Sequence, residues 1–167
     1  MVRAVGDVPH RSDGIRPPYP SRMDSRTKPA DQEADADPSL PEAMAGELTR
    51  VAEAYRRLPH SKFALRLEPY GDRAQAGYWL ATQVTLLAQG MESWDSPRPP
   101  AWRELPVLGV FALGDQIAVV GNDLLSAYLA LKDPRETLVW TPGEGRVPAD
   151  KAMAAVLDST TALRKAL

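Results

Sequence analysis

The stretch LPVLGVFALGDQIAVVGNDLLSAYLAL, residues 105–131, decides the fold class. It holds no Lys or Arg, and its acidic residues are Asp115 and Asp123 alone. Val110, Leu113, Ile117, Val120, Leu124, Tyr128 and Leu131 recur at spacings of three or four, close to a heptad seam. The spacing predicts a helix from about Pro106 to Leu131. Gly109, Gly114 and Gly121 fall inside it, each costing about 1 kcal/mol relative to alanine. That cost is understandable where another helix packs closely over them. A second stretch, AQAGYWLATQVTLLAQGM at residues 74–91, carries no Lys, Arg, Asp or Glu. Two nearly neutral helical segments need cover on more than one face. They predict central helices, a subunit interface, or both, and they point to no reaction.

Three further helices follow from the same periodicity. Asp72 is the expected N-cap of a helix over 72–94, with Ala76, Leu80, Val84, Leu87, Met91 and Trp94 as its main apolar stripe. Trp79 and Leu86 form a second stripe beside it. Ser39-Leu40-Pro41-Glu42 has the pattern of a capping box and opens a helix over 40–58. Met44, Leu48, Val51 and Tyr55 mark its buried side, and Pro59 ends it. The last helix spans 149–167, with Met153, Val156, Thr160 and Leu163 in phase.

The connectors are short or stiff. Phe63, Leu65 and Leu67 alternate in a short extended piece. Pro97, Pro99 and Pro100 favour an extended path between Trp94 and Trp102, which are expected to pack together under it. Thr137–Trp140 and Arg146–Val147 flank Thr141-Pro142-Gly143-Glu144-Gly145, a hairpin signal. The expected fold is therefore all-α. Four helices over residues 39–167 form an antiparallel bundle. Residues 1–38 contain Pro9, Pro17, Pro18, Pro20, Pro29 and Pro38 and few large apolar residues, so a disordered or extended N-terminal arm is expected there.

Composition excludes several chemistries. The chain has no cysteine, so disulfides, thiol catalysis and Cys-based metal sites are out of reach. His10 and His60 are its two histidines, too few for a His-rich metal site. A net charge of −2 gives no general attraction to nucleic acid or anionic lipid. No apolar run of leader length precedes Pro17, and Asp115 and Asp123 interrupt the longest apolar stretch. A cytoplasmic protein with no nucleic-acid and no membrane partner is expected. Fifteen arginines against five lysines fit a GC-rich bacterial coding sequence.

No catalytic constellation stands out, and no cofactor is expected. The glycines of 109–121 lack the Gly-Lys-Ser/Thr of a phosphate loop. Asp115, Asn122 and Ser126 share one face of the third helix and could, with Tyr78 and Tyr128, line a ligand pocket. The competing reading is that this is the solvated stripe of an amphipathic helix. Arg56, Arg57 and Lys62 lie in the densest basic stretch, a candidate anion site. The plainer reading is a charged outer face whose cations meet a helix C-terminus. Trp79, Leu86 and Trp140 are the residues expected at an interface.

These features favour a non-enzymatic scaffold or regulatory interaction protein, acting as a homodimer or on a protein partner. The arm over 1–38, mildly basic and then acidic, offers a second route to a partner. A small-ligand-binding bundle is the alternative. A metal-dependent enzyme using Asp115 or Asp123 comes third.

Overall fold

A computed structural model describes residues 38–167; the predicted arm, apart from Pro38, lies outside the described residues. The described chain is mostly helical. Its helices are α1 (Leu40–Arg57), α2 (His60–Phe63), α3 (Arg73–Glu92), α4 (Leu113–Leu129) and α5 (Ala149–Ala166). Two small antiparallel ladders punctuate them: β1 (Arg66–Leu67) with β2 (Gly71–Asp72), and β3 (Leu138–Thr141) with β4 (Gly145–Pro148).

The helix starts follow local chemistry. At α1 the Ser39 backbone N–H and hydroxyl both donate to the Glu42 carboxylate, at 2.9 and 2.7 Å. At α3 the Asp72 carboxylate accepts from the Gln75 N–H at 2.8 Å, which makes it the N-cap. The third predicted helix begins later than its periodicity suggests. Residues 105–109 are not helical, Val110–Ala112 form a single 3-10 turn, and α4 starts at Leu113. Gly109 is extended there, at φ −61° and ψ 153°. The Pro106 and Leu108 carbonyls accept from side chains of α4 and α3, Gln116 and Tyr78, while the Gly109 carbonyl accepts from the Ala112 N–H in the 3-10 turn.

The core is built from the predicted stripes. Met44, Leu48, Val51 and Tyr55 of α1 meet Leu80, Val84 and Met91 of α3, Leu113, Ile117 and Leu124 of α4, and Met153 and Leu163 of α5. The main helix contacts are α3 on α4, α1 on α4, α1 on α5 and α3 on α5. Glycine decides how closely α1 and α4 approach. A Cβ on Gly114 would lie 2.6 Å from the Ala52 carbonyl oxygen, and one on Gly121 would lie 3.0 Å from Leu48 Cδ1. Arg56 and Ala52 thus face the start of α4 and Leu48 faces its middle, so these two helices run in opposite directions.

The pair α3 and α4 runs in the same direction. Gly77 lies against Leu113, and further along Ala88 and Gln89 lie beside Val120 and Asp123. The expectation of antiparallel neighbours assumed a short connection. Residues 93–112 are instead long enough to travel back along α3, from Arg103 at Gln89 to Leu108 at Tyr78.

The hairpin signal corresponds to β3–β4, with Val139 opposite Val147 and Trp140 opposite Arg146. Gly143 and Gly145 take φ values of 82° and 81°, the left-handed region that makes glycine the natural occupant. Trp94 and Trp102 do not form a ring pair among the described residues. Trp94 is exposed, and the indole N–H of Trp140 donates to the Ser96 carbonyl at 3.2 Å.

Candidate interaction surface

The two neutral segments meet different fates. On α3 the apolar surplus is covered by the chain itself. Tyr70 packs on Trp79 with ring centroids 4.9 Å apart, and Leu86 shares a cleft with Trp102 and Leu105. Both Trp79 and Leu86 are half-buried. On α4 and the segment before it the cover is less complete: Val119 is 59% exposed and Leu129 69%, and ahead of the helix Phe111 is 72% and Val107 79% exposed. The large exposed apolar residues of 105–131 therefore lie on the outward side of α4 and just before it, among the exposed Asp115 and Asp123.

Phe111 and the residues before it are held in place. The Gln89 amide makes two bonds to Arg103, accepting from its N–H at 2.7 Å and donating to its carbonyl at 3.0 Å. Gln116 Nε2 donates to the Pro106 carbonyl at 2.6 Å, and the Tyr78 hydroxyl donates to the Leu108 carbonyl. Gln89 and Gln116 are buried, so these bonds are shielded from competing water. The backbone is tethered inward while Val107, Leu108 and Phe111 project outward. Phe111 also stacks on His60 at 5.2 Å and meets the edge of Phe63 at 6.5 Å.

The candidate ligand residues are not gathered into one pocket. Tyr78 is spent on Leu108. Asp115 is exposed and accepts from Arg56 Nε at 2.7 Å. Asn122 points outward from α4, whereas Tyr128 is buried on its other side. Burial, with Asp150 nearby, raises the Tyr128 phenol above its ordinary pKa. None of the four lines the clefts of about 250 and 320 Å3 on either side of the Arg103–Glu104 segment. Nor does any line the groove of about 340 Å3 between α1 and α5.

The basic stretch is largely self-neutralised. Arg56 bonds Asp115 and Glu53, both at 2.7 Å, and these bonds strengthen its hold on its proton. Arg57 reaches Glu53 at 3.1 Å, and Lys62 is exposed on α2. Trp140 is half-buried, with the Arg146 guanidinium 5.3 Å from its ring centroid. Among the described residues no group of three or more His, Asp or Glu side chains is placed to hold a metal ion. No described helix is long and apolar enough to cross a membrane.

Phe111, Val119 and Leu129 were reachable by helical phase. They fall on the side shared by Asp115, Asn122 and Ser126, but an argument seeking polar clusters passes over them. Comparisons with protein-family models, curated proteins and solved structures match this chain to none of them.

Proposed function

We propose that this protein is a non-enzymatic scaffold or regulatory interaction protein, built as a four-helix bundle and acting in the cytoplasm. Its working surface is the outward side of α4 together with the tethered Val107–Phe111 segment. The observation that carries this reading is the row of exposed large apolar residues on a backbone fastened by buried amides. Single exposed apolar residues such as Val119 and Leu129 are ordinary, but Val107, Leu108 and Phe111 stand together on one preorganised segment, which supports docking of another surface there.

A second reading, binding of a small ligand, has the paired clefts beside Arg103 in its favour. There Thr85, Gln89 and Trp102 put polar and aromatic groups within one neighbourhood. Native mass spectrometry of the protein drawn from its own cells separates the two. A stoichiometric protein complex supports the interaction reading. A bare monomer refutes it, and a retained small molecule favours the ligand reading.

A further inference from the structure

We infer that residues 101–109 form a latched strap, which swings off α3 and α4 as a unit while the helices stay folded. From Glu92 to Ala112 no residue is buried, and the apolar Trp102, Leu105 and Val110 are only half-buried. Among the described residues no backbone group from Pro97 to Leu108 bonds to another backbone group. Three side chains fasten the strap instead. Gln89 makes two bonds to Arg103, Gln116 makes one to Pro106, and Tyr78 makes one to Leu108. Segments with few buried contacts and few backbone bonds are the ones that open below the free energy of global unfolding.

The strap is taut, which is why it opens as one piece. Gln89 and Tyr78 stand 11 residues apart on α3, a rise of about 16 Å. Arg103 and Leu108 are five residues apart and span about 16–18 Å only when almost fully extended. With no slack between the tethers, loss of the Tyr78 bond at one end loosens the Gln89 bonds at the other. Pro99 and Pro100 stiffen one end. Gly109 is the pivot at the other, where even a Cβ would meet nothing within 4 Å. Clefts of about 250 and 320 Å3 flank Arg103 and Glu104 and share Thr85 as lining. Release of the strap joins them into one groove along α3. It also withdraws Val107 and Leu108 from the surface proposed above. A partner docked on Val107 and Leu108 therefore holds the strap shut, and opening weakens that partner's grip by the same factor. This coupling rests on the interaction reading, whereas the opening itself does not.

Trypsin reads the opening in the full chain. Arg103 is its one cleavable site on the strap, because Pro99 protects the bond after Arg98. Cleavage after Arg103 proceeds in plain buffer at a rate that hardly changes with urea below the unfolding transition, whereas cleavage after Arg50 within α1 climbs steeply with urea. Tyr78→Phe, which removes the bond five residues along the strap from the cut, raises the Arg103 rate about 2- to 10-fold. Gln116→Leu does the same from the middle of the strap. A rate after Arg103 that follows urea as steeply as the rate after Arg50 overturns the inference, since the strap then opens only with the whole fold. So does a rate that neither Tyr78→Phe nor Gln116→Leu changes, since the segment then frays at Arg103 alone. Both results leave the interaction reading standing, because native mass spectrometry tests it separately.

Discussion

Replacing Gly90 by alanine tests how α3 meets the β3–β4 hairpin. In an open helix interior this change gains about 1 kcal/mol from helix propensity. Here a Cβ on Gly90 would lie 2.9 Å from the Trp140 carbonyl carbon and closer still to its oxygen. Ordinary contact begins near 3.4 Å, and the obstructing atoms are backbone, so no rotamer change relieves the clash. The hairpin must move away, which strains the bond from Trp140 Nε1 to Ser96. Overpacking of this kind costs about 1–3 kcal/mol, more when backbone is displaced, so the steric term exceeds the propensity gain. The expected result is a loss of about 1–2 kcal/mol, a fall in melting temperature of roughly 4–8 °C. Thermal melts followed by circular dichroism, with urea titration alongside, measure it. Gly109→Ala is the control, because a Cβ there meets nothing within 4 Å and the backbone is extended. That variant should be neutral or more stable by about 0.4–1 kcal/mol. A Gly90→Ala protein as stable as the parent would refute the argument that the helix and hairpin are in direct backbone contact.

Other outcomes follow from the same contacts. Tyr55 donates to the Arg73 carbonyl at 2.7 Å, so Tyr55→Phe should lose about 1 kcal/mol at neutral pH in denaturant titration. Burial raises the Tyr55 phenol above its ordinary pKa. Above about pH 10 the unfolded chain releases this proton while the native state keeps it, so stability falls as pH rises. Tyr55→Phe should flatten that alkaline slope. At the start of α1, the bonds from Ser39 lower the Glu42 pKa, so their contribution is present above the ordinary carboxylate range and lost as pH falls through the lowered value. Glu42→Gln should make amide exchange in the first turn of α1 faster at neutral pH and less dependent on acid. Gln89→Leu removes both bonds to Arg103 and should cost about 1–3 kcal/mol. Trypsin should cut after Arg103 faster in that variant, and an unchanged cleavage rate would mean that Gln89 does not fasten the connector.

The helices were legible because each carries a periodic apolar stripe, with a second one beside it on α3. Met44 to Tyr55, Ala76 to Met91 and Leu113 to Tyr128 announce themselves by spacing, and Asp72 announces its cap by chemistry. The start of α4 was not legible. Val110 keeps phase with the helix that follows, and Pro106 imitates a first-turn proline. A warning was present, since no Ser, Thr, Asp or Asn precedes Leu113 within the segment to serve as an N-cap. What holds residues 103–108 is a set of bonds between positions 10 to 30 apart in the chain, which no local period encodes. The cover of the neutral surfaces was hidden for the same reason. Tyr70 and Trp102 reach α3 through loops, and nothing in the pattern of 74–91 or 105–131 says which of the two a loop will reach.

The shared direction of α3 and α4 has a consequence for how the chain comes to be folded. During synthesis α3 emerges well ahead of the strap that crosses it and of the helix that lies alongside it. Until residue 113 and beyond have left the ribosome, its greasy flank has no native companion from the later half of the molecule. A chain halted between these helices therefore has α3 covered only by what precedes it, such as Tyr70 on Trp79, with the flank that α4 will occupy still open.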